Sequence, residues 1–136
     1  FRRIAAIGIS STRCYVQDVP ATLAFYERAF GTRTGFLHES GTFGQLETGT
    51  TKLAFSALEL MKELGKTPGR ADPSAPVFEI AFETEDVAAS LERARAAGAN
   101  VVQEPREEPW GQTTAYVTDP NGFLVEICSP VGSGAV

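Results

Sequence analysis

Several residue types are scarce in this chain. Among 136 residues there are one histidine, one methionine, one tryptophan and two cysteines. A single histidine excludes any site that needs two imidazoles from one chain to hold zinc or iron. Two cysteines, Cys14 and Cys128, do not make a disulfide framework. Both lie in apolar, strand-like runs, which points to buried reduced thiols. Basic residues are outnumbered, 12 Lys and Arg against 17 Asp and Glu, giving a net charge of −5. That balance lacks the basic stripe of a nucleic-acid binder. It permits a cationic ligand, although a mildly acidic surface also serves solubility. No apolar run approaches the roughly 20 residues of a membrane-spanning helix. The stretch before Ser11 is too short, and too polar after Ile9, for a secretory signal. The expected location is therefore the cytoplasm.

What is present is ordinary for a globular protein: 43% hydrophobic and 21% charged residues. The length fits one domain over residues 1–136 with a real core. Within it the chain repeats itself. Asp18-Val19 and Asp86-Val87 each open an amphipathic helix, and Gly31 and Gly98 close them. Gly-Gln pairs, Gly44-Gln45 and Gly111-Gln112, follow at the same offset of 67 to 68 positions. A repeated supersecondary unit sets the architecture.

The first unit spans about 10–57. It has a strand at Ser11–Val16, then a helix capped by Asp18 with Pro20 in its first turn. Val19, Leu23, Tyr26 and Phe30 form its apolar stripe. Strands follow at Thr34–His38, Phe43–Thr48 and Lys52–Ala57. The second unit, about 77–130, repeats the order. Its strands are Val77–Glu83, Asn100–Gln103, Thr113–Thr118 and Phe123–Cys128, with a helix from Val87 through Leu91 and Ala94. Asp119-Pro120-Asn121-Gly122 is a turn. The segment 58–76 connects the units as a short helix, Leu58–Leu64, and a Gly- and Pro-rich linker. The tail after Pro130 is expected to fray. The fold class is α+β, two tandem βαβββ modules.

Side chains alternate faces along a strand. With Thr12, Cys14, Val16, Leu53, Phe55, Ala57, Phe78, Ile80, Phe82, Phe123, Val125 and Ile127 turned to the helices, the opposite face carries Ser11, Arg13, Tyr15, Lys52, Ser56, Glu79, Glu83 and Glu126. Ala54, Ala81, Leu124 and Cys128 share that face. The mixture suits a curved sheet around a ligand cavity. A solvated antiparallel face is the alternative.

Two βαβββ units, the run Tyr15-Val16-Gln17-Asp18-Val19 leading to Phe25-Tyr26-Glu27-Arg28-Ala29-Phe30-Gly31, and the ending Asp119-Pro120-Asn121-Gly122-Phe123-Leu124-Val125-Glu126-Ile127 together resemble the glyoxalase/bleomycin resistance/dioxygenase superfamily, or vicinal oxygen chelate family. The resemblance spans roughly residues 10–130. It implies curved half-barrel sheets around a cavity, usually in a homodimer. In the family's metalloenzymes it implies a divalent ion held from the first and last strands of each module. Those positions map to Ser11, Ser56, Glu79 and Glu126. Two serines there are poor ligands for Zn²⁺, Ni²⁺ or Fe²⁺. The sole histidine, His38, falls outside the set. Glu79 and Glu126 could hold Mg²⁺ or Mn²⁺ with waters, share a proton, or bind a ligand amine. The expectation is no resident cofactor, with a divalent metal as the alternative. Glu108-Pro109-Trp110-Gly111-Gln112 looks like the bleomycin-resistance branch, which binds a cationic, aromatic-bearing drug without a catalytic metal. Trp110 would then stack on a ligand at the cavity mouth, or else pack its loop on the core.

The sequence thus favours a non-catalytic protein that binds a small aromatic or cationic molecule, as in antibiotic sequestration. Its ligand-binding candidates are Arg13, Tyr15, Glu47, Ser56, Trp110 and Tyr116. The alternative is a lyase, isomerase or dioxygenase-related enzyme in which Glu79 and Glu126 serve as metal ligands or as acid and base. The expected partners are a small molecule and a second copy of the chain, with no nucleic acid and no membrane.

Overall fold

The computed structural model describes residues 5–131. The frayed tail expected beyond Pro130 lies almost wholly outside them. In chain order the elements are β1 (Ser11–Val16), α1 (Val19–Phe30), β2 (Thr34–Leu37), β3 (Phe43–Leu46), β4 (Lys52–Ala57), α2 (Leu58–Glu63), β5 (Glu79–Glu83), α3 (Val87–Ala96), β6 (Asn100–Glu107), β7 (Thr113–Thr118) and β8 (Leu124–Cys128). They form two four-stranded mixed sheets, ordered β1-β4-β3-β2 and β5-β8-β7-β6. The first and last strand of each module pair in parallel, and the remaining pairs are antiparallel.

The two helices form where capping chemistry allows. Asp18 and Asp86 are extended residues whose carboxylates accept from Ala21 N–H and Ala89 N–H, both at 3.0 Å. Each satisfies one of the orphan donors of a first turn. Gly31 ends α1 in the left-handed region, φ 71°, where a side chain would be strained. The guanidinium of Arg93, on α3, donates to the α1 carbonyls of Arg28 at 2.8 Å and Glu27 at 3.3 Å. A residue of the second module therefore caps a helix of the first.

The core lies between the helices and the inner sheet faces and is continuous through both modules. Phe25, Tyr26 and Ala29 of α1 are buried with Leu46, Phe55, Leu91, Val117, Val125 and Ile127. Phe30 stacks on Phe82 of β5, ring centroids 4.8 Å apart, and Tyr26 meets Phe55 at 5.2 Å. The Tyr26 hydroxyl is fully buried and donates to Asp119 at 2.6 Å, in the β7–β8 turn. Asp119 also accepts from the backbone N–H of Asn121 and of Phe123. The Asp-Pro-Asn-Gly turn is thereby fastened to the first module.

Strand register corrects one sequence equivalence. Ser11 pairs with Lys52, Arg13 with Ala54, Glu79 with Leu124, and Ala81 with Glu126. Gln45 lies opposite Ala54, and Tyr116 opposite Glu126. The counterpart of Glu126 in the first module is therefore Ala54, not Ser56, and the counterpart of Tyr116 is Gln45. The cause is β6, eight residues against the four of β2, which lengthens the spacing between the modules in their later strands. The Gly-Gln likeness is for the same reason not structural: Gly44 lies within β3, while Gly111 turns at φ 92° before β7.

Candidate functional site

The sheet face turned away from the helices is differently furnished in the two modules. In the second it carries a compact polar group. Glu79 projects from β5, Glu126 from β8 and Tyr116 from β7. The Tyr116 hydroxyl lies 3.0 Å from a Glu79 carboxylate oxygen and 2.9 Å from one of Glu126. Register explains the convergence, because Tyr116 sits directly across from Glu126 and β5 is the neighbour on the other side. Partial burial, then the two carboxylates, raise the pKa of the phenol above its ordinary range. Tyr116 therefore keeps its proton at neutral pH and is a hydrogen-bond donor rather than a base. It has one proton and faces two carboxylates, so it donates to only one at a time.

The first module presents Arg13 and Tyr15 from β1. The Arg13 Nε donates to Ser11 Oγ at 3.1 Å, and its guanidinium lies over the Phe43 ring, 5.7 Å from the centroid. No ion pair joins Arg13 to a carboxylate among the described residues.

Two clefts open between the modules, each about 400 Å³. One is bordered by Arg13 and Tyr15 of β1, by Phe123 and Leu124 at the start of β8, and by the connecting segment around Arg70 and Phe78. The other is bordered by Glu79–Phe82 of β5, by Lys52 and Leu53 at the start of β4, and by Glu47. The internal repeat relates them, since β1 with β8 in one stands where β5 with β4 stands in the other. Their sizes fall within the range of small-molecule sites.

The sequence candidates are therefore dispersed. Arg13 and Tyr15 share the first cleft, and Glu47 and Glu79 share the second. Glu47 is tied to Lys52 at 2.9 Å. Tyr116 joins Glu79 and Glu126. Ser56 is 2% exposed, between Tyr15 and Phe43 in register, too deep to meet a ligand directly. Trp110 is 54% exposed, and its indole N–H donates to Gln112 at 2.8 Å, so its ring is not packed on the core. His38 is engaged with Ser40 at the end of β2. Two residues escaped the sequence reading. Arg70 sits in a segment without periodicity, and Asp119 was visible only as a turn former.

The residues at the four family ligand positions, with the register correction, are Ser11, Ala54, Glu79 and Glu126. Ala54 offers no donor, Ser11 takes a hydrogen bond from Arg13, and the two carboxylates share Tyr116. Among the described residues no three or more of His, Cys, Asp and Glu gather as a metal would require. This donor set does not fit Zn²⁺, Ni²⁺ or Fe²⁺, which take imidazole and carboxylate ligands. Cys14 and Cys128 are buried free thiols. Burial, mainly, pushes them up to about 12 and about 11, which leaves them unreactive near neutrality.

Comparison with known proteins agrees with the fold. The Glyoxalase/Bleomycin resistance protein/Dioxygenase superfamily profile matches residues 8–127. A glyoxalase-related enzyme from Fulvimarina pelagi superposes with a TM-score of 0.78 at 23% identity, over 93% of each chain. A glyoxalase/bleomycin resistance protein/dioxygenase family enzyme from Burkholderia phytofirmans PsJN gives 0.72 at 25% identity, over 88% of this chain and 96% of that one. TioX from Micromonospora sp. ML1 gives 0.69 at 22% identity, over 90% and 98%. No curated protein matches the chain. Likeness at this level concerns the fold, and no helix among the described residues is long and apolar enough to cross a membrane. Tandem βαβββ modules, their parallel first and last strands and the profile match over nearly the whole chain place this protein in the glyoxalase/bleomycin resistance protein/dioxygenase superfamily.

Proposed function

We propose that this protein binds a small organic molecule carrying a cationic nitrogen, and holds it without transforming it. The observation that carries this reading is the single phenolic proton between two carboxylates. Tyr116 satisfies Glu79 or Glu126, and the other carboxylate lacks that donor. An ammonium or amidinium group supplies the missing N–H donors and offsets the paired negative charge. Glu79 also borders the second cleft, which has room for the body of such a ligand. The exposed indole of Trp110 offers a stacking surface for an aromatic part. Sequestration of a cationic antibiotic is a role this chemistry suits. The two buried free thiols fit a reducing compartment such as the cytoplasm.

A homodimer belongs to the same proposal. Phe36, Leu37 and Trp110 are each more than two-fifths exposed. A second copy would cover apolar surface of this kind.

One alternative has a specific observation behind it. A phenol between two carboxyls can accept a proton from one and donate to the other, as proton transfer in a lyase or isomerase requires. Both readings are tested by a thermal-shift screen of organic amines against their neutral isosteres, followed by mass spectrometry of the recovered ligand. Binding favours amines over isosteres, and the recovered ligand is unchanged. A changed ligand supports the enzyme. Equal response to amines and isosteres overturns the cation-binding reading, and an unchanged ligand counts against the enzyme.

A further inference from the structure

The cleft between β1 and β8 is furnished for the opposite charge. The charged and polar residues on its border are Arg13, Tyr15, Arg70 and Asp72. Asp72 is already engaged: its carboxylate accepts from the backbone and hydroxyl of Ser74, at 2.9 and 2.6 Å, within its own turn. Neither arginine has a carboxylate partner among the described residues. Arg70 uses one terminal nitrogen on Gln17, at 2.6 Å, and Arg13 uses its Nε on Ser11. Each keeps further N–H donors for a ligand.

The rest of the wall is apolar. Val77 is 92% exposed and Phe78 is 41% exposed, with the Phe78 ring leaning on Phe123 at 5.7 Å. Leu124 lies beside them. Apolar residues left open to water gain by covering. The connecting segment forms one side and is held in place. Arg70 ties it to Gln17, and Gly122 packs so close that an added Cβ would stand 3.2 Å from Pro73. In the related cleft the corresponding border carries Glu47 and Glu79 against one lysine. The repeat has thus produced two clefts of similar size and opposite charge in an acidic protein.

We infer that the β1–β8 cleft is a second binding site, for an organic acid whose carboxylate is taken by Arg13 and Arg70 and whose apolar body rests on Phe78, Phe123 and Leu124. Guanidinium groups match a planar carboxylate in geometry, and a cavity of about 400 Å³ admits a bicyclic body. Its border shares Phe78, and no other residue, with the border of the cleft at Glu47 and Glu79.

The test is calorimetric titration of the whole protein with 2-naphthoate, and with 2-naphthamide as its uncharged match. The acid binds roughly tenfold or more tightly than the amide, as loss of a charge-assisted pair implies. Arg13→Gln and Arg70→Gln each abolish most of that preference, and Leu124→Trp, which fills the cleft, blocks both compounds. Because Arg70→Gln also frees the connecting segment, Arg13→Gln is the deciding variant, with its unfolding midpoint measured alongside. Equal affinity for acid and amide, no heat with millimolar 2-naphthoate, or a preference that survives in folded Arg13→Gln overturns the assignment.

Discussion

Asp119 shows how much one residue can do in this fold. Its carboxylate is largely buried and takes the Tyr26 hydroxyl at 2.6 Å, joining the β7–β8 turn to α1. Burial raises its pKa above the ordinary 3.8 by more than the hydrogen bonds from Tyr26, Phe123 and Asn121 lower it. A carboxyl raised in the folded state favours folding when protonated. Its contribution is fully present below 3.8 and is lost as pH climbs through the raised value. Stability of the natural protein minus that of Asp119→Asn, from urea unfolding, should therefore fall as pH rises from 3.5 to 6. A flat or rising difference would contradict this account. Tyr26→Phe removes the donor and leaves a buried carboxylate short of a partner, at a cost of about 1–3 kcal/mol at neutral pH by the same measurement. None of this was legible in the sequence. Asp119 announced a turn through the proline and glycine that follow it, but nothing local says that the partner is Tyr26.

At the level of elements, α1 and α3 were the most readable parts. Asp18 and Asp86 cap them as their position before an apolar stripe required, and the stripe from Val19 to Phe30 is on the core side. Strand edges were less so. β6 runs on to Glu107 through two register shifts, four residues past the expected end at Gln103. That extra length moved the true counterpart of Glu126 from Ser56 to Ala54. A constant offset taken from the helices could not foresee it. The contact between Arg93 and the end of α1 gives a prediction at this scale. Gly31→Ala must adopt φ 71°, and its Cβ would stand 3.0 Å from an Arg93 nitrogen. The left-handed backbone alone costs about 1–2 kcal/mol. Arg93→Ala should lower the unfolding midpoint less, because it removes the cap without straining the chain. If Gly31→Ala is neutral, the cap does not govern how α1 ends.

At the scale of the molecule, the described residues form two sheets that do not pair with each other, held by one core and by polar links between modules. This arrangement leaves β1 and β5 each with one unpaired edge among the described residues. The composition, with one histidine and excess acid, already argued for a face without imidazole ligands and with carboxylates to spare. It could not say that Tyr116 would bridge two of them, or that Arg13 and Tyr15 would stand in a separate cleft. Those facts depend on register and on the path of the connecting segment. Sedimentation equilibrium should give a dimer at micromolar concentration, since open apolar surface such as Phe36, Leu37 and Trp110 favours burial against a second copy. A monomer under those conditions would remove the homodimer from the proposal while leaving the amine site to be judged separately.

That judgement rests on calorimetric titration with 2-naphthylmethylammonium, set against the neutral 2-naphthalenemethanol, for the natural protein and for the double variant Glu79→Gln/Glu126→Gln. The natural protein should prefer the amine by roughly tenfold or more, and the double variant should lose that preference while remaining folded. An amine bound no better than the alcohol, or a preference that survives loss of both carboxylates, would contradict a cation-binding site at Glu79, Tyr116 and Glu126.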